Sequence, residues 1–200
     1  TSYNCVLCRR GFRVCGRGWS SKKDMPDVES QACLFAICTY FRYCTARITT
    51  PSTTKTTPTG KKEVSKNIDF MLLHTPLAYQ ATASVGDIKD FKRKVAKAAT
   101  KDGPCFIHVM SPCPSGWKFP TDQTIQIAKK AIKSGMWLLW EREGGKITIN
   151  RKPTDFDAIP EYLHSQHRFD RLTDELTERI INDAKARYDT LLKLSEIDIV

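Results

Sequence analysis

The sequence has no run of about 18 apolar residues, so no membrane-spanning helix is expected. Its start has no basic stretch followed by an apolar segment and a small-residue cleavage site. No secretory leader is therefore expected, and the expected compartment is the cytoplasm. Acids are scarce at one end: up to Lys66 there are only Asp24, Asp27, Glu29 and Glu63. The formal charge of +10 is correspondingly uneven. A basic surface of this kind attracts acidic proteins or nucleic acid without specifying which, and a solvated face with no partner is the plain alternative. The four histidines, His74, His108, His164 and His167, have no metal-ligand spacing with an acidic partner. No Ser-His-Asp arrangement and no Walker-type phosphate loop is present. His108 alternates into an apolar run and reads as a satisfied core residue.

Cysteine is abundant instead. Of eight, Cys5, Cys8, Cys15, Cys33, Cys38 and Cys44 crowd the first quarter of the chain. In a reducing compartment such crowding favours metal or cluster ligation over disulfides. Cys5-Val6-Leu7-Cys8 is a CxxC pair, and two thiols so spaced on a turn reach one metal centre. On its own the pair leaves zinc, redox chemistry and chance open. Residues 1–48 read as an irregular, basic, Cys-rich segment in which Leu34 to Tyr43 is either a strand or a buried helix. Residues 49–66, rich in Thr, Pro and Lys, read as a linker or loop.

From residue 67 to 200 the pattern becomes that of an α/β body. A short helix is expected over Asn67 to His74 and a strand over Leu77 to Ala83. A helix follows, capped by Asp87, with Ile88, Phe91, Val95 and Ala98 on one face and Lys89, Lys92, Arg93 and Lys97 elsewhere on its surface. The next strand is Cys105 to Met110, where Cys105 reads as core packing. Thr121 is placed to cap a helix with apolar residues Ile125, Ala128, Ala131 and Ile132, stopped by Gly135. Gly144-Gly145 separates two alternating runs, a hairpin signal. Residues 151–172 read as irregular. Thr173 caps a last helix whose stripe is Leu176, Ile180, Ala184, Leu191 and Leu192. Strand–helix–strand order implies parallel pairing of the strands near 77–83 and 105–110.

The most informative stretch is Ser111-Pro112-Cys113-Pro114-Ser115-Gly116-Trp117, at the end of the second of those strands. Two prolines fix φ on either side of Cys113 and stop strand and helix alike. The thiol is thus held on a stiff loop outside a strand's carboxyl end, where ligands of open α/β sheets gather. A rigid turn with a half-buried cysteine is the bland reading of the same residues.

Asp102-Gly103-Pro104, Phe106 to Val109 and Ser111 to Phe119 together resemble the β subunit of pyruvate:ferredoxin oxidoreductase and its 2-oxoacid relatives. So do Thr56 to Lys62 and Ala81 to Ser84 upstream. Downstream, the helix from Ile125 to Lys133, Leu138 to Glu141, Pro160 to Leu163 and Arg168-Phe169 continue the match. His167 departs from it, since the family usually carries Gly there. The resemblance spans roughly residues 49–195. It implies a thiamine-diphosphate-binding-like parallel sheet flanked by helices, here truncated. It also implies oxidative decarboxylation of pyruvate or a related 2-oxoacid to the acyl-CoA, with electrons passed to ferredoxin. Partners would be the other subunits, ferredoxin, CoA and the 2-oxoacid, with nucleic acid disfavoured. Carried over residue by residue, it places a [4Fe–4S] cluster on Cys5, Cys8, Cys33 and Cys113. The family's thiamine diphosphate and Mg²⁺ are anchored by a Gly-Asp-Gly motif, which this sequence lacks. Gly86-Asp87-Ile88 is the closest string and reads as a helix cap. No catalytic residue is assigned, and the chain alone is expected not to decarboxylate pyruvate. The rival expectation is a non-catalytic, Cys-rich zinc-binding or basic interaction module.

Overall fold

The structure is a computed structural model that describes residues 34–38 and 67–198. Its centre is a five-stranded sheet in the order β1-β3-β2-β4-β5. The strands are β1 (Leu34–Cys38), β2 (Tyr79–Ser84), β3 (Cys105–Met110), β4 (Leu139–Glu143) and β5 (Lys146–Arg151). The helices are α1 (Ile68–Met71), α2 (Ile88–Ala99), α3 (Pro114–Trp117), α4 (Thr124–Lys133), α5 (Ile159–His164) and α6 (Asp174–Ser195).

The expected α/β architecture is present. β2 and β3 run adjacent and parallel, with Tyr79 beside Cys105 and Ser84 beside Met110. β1 lies parallel on the far side of β3, so Leu34–Cys38 is the strand of the two alternatives left open for that run. The sheet is mixed rather than wholly parallel, because the β4–β5 hairpin joins β2 antiparallel. Gly144 and Gly145 make the hairpin turn at φ 54° and 82°, a conformation that side-chain-bearing residues rarely adopt.

Every residue of β2 and β3 is buried, as expected of central strands covered on both faces. Tyr79, Ala81, Ala83, Cys105, Ile107 and Val109 meet Ala98, Phe91 and Val95 of α2. On another side Leu73, Trp140, Ile147 and Leu191 pack with Phe70 and Leu194, joining α1 and α6 to the hairpin. A third cluster combines Met110, Cys113, Trp117 and Phe119 with residues of α4, α5 and α6. α4 packs against α5 there, and Gly86 in the β2–α2 loop approaches its backbone so closely that an added Cβ would lie 2.7 Å from the carbonyl carbon of Ala128.

Three sequence expectations need correction. Ile88, the first residue of α2, is exposed and stands outside the cluster that Phe91, Val95 and Ala98 form with the sheet, while Lys94 of the same helix is buried. Thr121 opens a 3₁₀ turn instead of capping α4, which starts at Thr124; the buried stripe of that helix is Ile127, Ala128, Ala131 and Ile132, while Ile125, in its first turn, is exposed. Residues 151–172 are not wholly irregular. They contain α5, with Pro160 in its first turn where no backbone N–H is needed, and 3₁₀ turns at Phe156–Ala158 and His167–Phe169.

Candidate functional site

β2 and β3 both end beside the Cys113 loop, and Val85 N–H donates to Met110 O at 3.2 Å across the two strand ends. Cys113 is the N-cap of α3 and is buried, at 4% exposure. Its Sγ accepts the Gly116 backbone N–H at 3.3 Å, and Ser115 Oγ lies 3.5 Å away. Pro114 follows it in the first turn, and Trp117 N–H closes that turn on Cys113 O at 2.8 Å. A sulfur that receives an amide donor is suited to carry negative charge, as a metal-bound thiolate does. The turn ends at Lys118, which is left-handed with φ 57°. Lys118 O accepts the His167 N–H at 3.2 Å. Arg168, fully buried, lays its guanidinium carbon 3.7 Å from the Trp117 ring centre and 4.6 Å from that of Phe169. His167 begins a 3₁₀ turn, which any L residue enters without strain, so the departure from Gly leaves the local backbone intact.

Cys5, Cys8 and Cys33 lie outside the described residues, so only Cys113 of the four sequence-picked cysteines has a described setting. Among the described residues no three His, Cys, Asp or Glu side chains gather around a metal-sized space. Cys105 is buried, with its Sγ 3.6 Å from Ala98 O, in agreement with a packing role. His108 is also buried; its Nδ1 lies 2.7 Å from Asp69 Oδ1, and its ring meets Trp137 edge-on at 4.9 Å. Asp87 caps α2 through the Asp90 N–H at 3.2 Å and pairs with Arg151 at 2.8 Å. Its carboxylate is thus committed to a helix end and an arginine. It does not fit the Mg²⁺ ligand of a diphosphate anchor.

A second concentration of charge sits between α2 and the hairpin and was not anticipated. Glu141 accepts from Tyr79 OH at 2.5 Å, from Arg93 at 3.0 and 3.2 Å, and from Asn150 Nδ2 at 3.3 Å, with Lys97 Nζ at 3.5 Å. Burial opposes its ionisation, but the Tyr79 hydroxyl and then Arg93 outweigh that and hold it below the ordinary glutamate range. Burial, reinforced by the bond to Glu141, pushes the Tyr79 phenol upward. Lys94 donates to Thr82 O at 2.8 Å and pairs with Asp90 at 2.6 Å; burial lowers its pKa against that pairing. A shallow cleft of about 420 Å³ opens beside this network, lined by Asp87, Asp90, Arg93, Asn150 and Arg151 among others. Its acids and arginines neutralise one another, Arg151 with Asp87 and Arg93 with Asp90. The network braces α2 against the hairpin.

Comparison with known proteins decides what the Cys113 loop belongs to. Over 156 residues the chain is 36% identical to pyruvate synthase subunit PorB of Thermotoga maritima, covering 73% of this chain and 48% of that one. Over 132 residues it is 39% identical to PorB of Methanocaldococcus jannaschii, covering 64% and 44%. Ketoisovalerate oxidoreductase subunit VorB of Pyrococcus horikoshii is 38% identical over 152 residues, covering 72% and 49%. This chain is a homologue of the 2-oxoacid:ferredoxin oxidoreductase β subunits. It spans about half the length of the relatives it matches. No family model matches it.

The Cys113 loop was legible in the sequence from its prolines. Arg168 and the Glu141 network were not. Lys94 hides in the run Lys92-Arg93-Lys94, and Arg168 approaches Trp117 from far along the chain.

Proposed function

We propose that this chain works as part of the β subunit of a 2-oxoacid:ferredoxin oxidoreductase, in the oxidative decarboxylation of pyruvate or a close 2-oxoacid with electrons passing to ferredoxin. The observation that carries this reading is the identity of more than a third with both PorB and VorB, across the body that builds the Cys113 loop. The two relatives differ in the 2-oxoacid of their names, so the substrate is given as a class. The chain's own contribution is a [4Fe–4S] site on Cys5, Cys8, Cys33 and Cys113, a cluster that supplies one-electron transfer when bound. At Cys113 the local chemistry supports this, since the Gly116 amide and the Ser115 hydroxyl both face the sulfur. The β2–β3 strand ends and the α4–α6 cluster bury that sulfur and keep bulk water from it. The anchor for thiamine diphosphate and Mg²⁺ belongs outside this chain, because Asp87 is committed elsewhere and no Gly-Asp-Gly string is present.

Anaerobic reconstitution with iron and sulfide tests the reading. Close to four iron and four acid-labile sulfide per chain are expected, about the stoichiometry of one [4Fe–4S] centre. Zinc bound alone would favour the interaction-module alternative. The purified chain supplied with thiamine diphosphate, Mg²⁺, CoA, pyruvate and an electron acceptor is expected to show no turnover. Measured turnover would mean that the diphosphate anchor lies within it.

A further inference from the structure

We propose that Arg168 is the positioning residue for the Cys113 sulfur and acts on it through the Trp117 ring. The inference deepens the reading of Cys113 as a cluster ligand and rests on that reading for its functional meaning. Arg168 is fully buried, which fixes its guanidinium in one place. Here its planar group lies 3.7 Å over the Trp117 indole and 4.6 Å over Phe169, the geometry in which a desolvated cation gains most from an aromatic face. Trp117 is the last residue of the single turn that Cys113 begins. Its N–H holds Cys113 O, and its ring leans edge-on against Phe119 at 6.3 Å. The next residue, Lys118, is left-handed, a conformation that persists only where its surroundings impose it. The segment carrying Arg168 imposes it twice, by the stack on Trp117 and by the His167 N–H bond to Lys118 O. With the far end of the turn pinned, the Gly116 N–H stays aimed at Cys113 Sγ. Loss of the stack lets the strained end relax, and the amide and the sulfur swing apart.

The test uses the full chain, metal-free and under argon, with iodoacetamide at one fixed pH and peptide mass mapping of each cysteine. Buried Cys105 serves as the internal control. Arg168→Met is expected to raise the alkylation rate of Cys113 at least about tenfold with Cys105 unchanged, and Arg168→Lys to raise it less. Trp117→Leu is expected to produce a similar rise, and Arg168→Met in that background to add less than about twofold. Three results would overturn the proposal: a Cys113 rate within about twofold of the wild type in Arg168→Met, an equal rise at Cys105, or a full additional rise in the Trp117→Leu background. Because the rates are read without metal, failure of the wild-type chain to assemble a cluster would sink the cluster reading alone. In a chain that does assemble one, Arg168→Met is further expected to shift its reduction potential, which a purely global loss of stability would leave in place.

Discussion

Glu141 shows how much one side chain organises. Its carboxylate is the common partner of Tyr79, Arg93, Lys97 and Asn150, so it ties β2, α2 and both strands of the hairpin together. Its pKa in the folded chain lies below the unfolded value of about 4.3. The stability it contributes is therefore fully present above that value and is lost as pH falls through the lower folded value. Glu141→Gln is expected to cost about 2 kcal/mol at pH 7, since it removes the charge from several hydrogen bonds at once. The gap to the wild type should close as pH is lowered through the acid range, as urea unfolding at a series of pH values would show. A gap that stays constant down to pH 3 would remove the carboxylate from this role. The sequence announced little of it. Glu141 stands in an alternating run that reads only as a strand, and its partners come from residues as distant as Tyr79. Cys113 was legible because its constraint is local: the two prolines sit beside it in the chain.

At the level of elements, what could be read was what is decided by neighbours in sequence. β3 runs from Cys105 to Met110 as expected, bounded by Gly103-Pro104 before it and Ser111-Pro112 after it. The hairpin followed from Gly144-Gly145, and α6 from Thr173, whose side chain caps the Leu176 N–H at 3.4 Å. α5 escaped notice because it has only six residues and a proline near its start. The start of α4 was placed too early because a 3₁₀ turn takes up the three residues before it. Nothing in the sequence shows that α4 and the β2–α2 loop touch at Gly86. An added Cβ there would lie 2.7 Å from Ala128 carbon and 2.8 Å from Lys129 nitrogen, both backbone atoms that cannot rotate aside. Gly86→Ala is therefore expected to cost about 2 kcal/mol, as overpacking does. Gly144→Ala meets nothing within 4 Å and strains only its left-handed backbone, for about 1 kcal/mol. Comparison of the two thermal midpoints checks this, and equal shifts would mean that the loop and helix are not in firm contact.

Across the whole molecule, the sheet joins two kinds of pairing. Parallel strands bring their carboxyl ends together at the Cys113 loop, while the antiparallel hairpin widens the sheet and gives α6 a surface to cover. The parallel order was legible from the alternation of strands and helices. The attachment of the hairpin to β2 was not, because that pairing joins segments some sixty residues apart, Ala81 with Glu141. One consequence follows from where β5 lies. Among the described residues it is paired on one side only, so its outer row of peptide groups is a template on which a second molecule could grow a strand. Lys146 stands at one end of it and Lys152 just beyond the other, both exposed. Like charges there set neighbouring copies against one another. Replacing Lys146 and Lys152 together by Thr is expected to leave the monomer's far-ultraviolet circular dichroism unchanged while light scattering grows with protein concentration. Scattering that stays flat at high concentration would show that another part of the protein shields this rim. If it does grow, those two cations serve colloidal behaviour: they keep copies of the protein apart in a crowded solution.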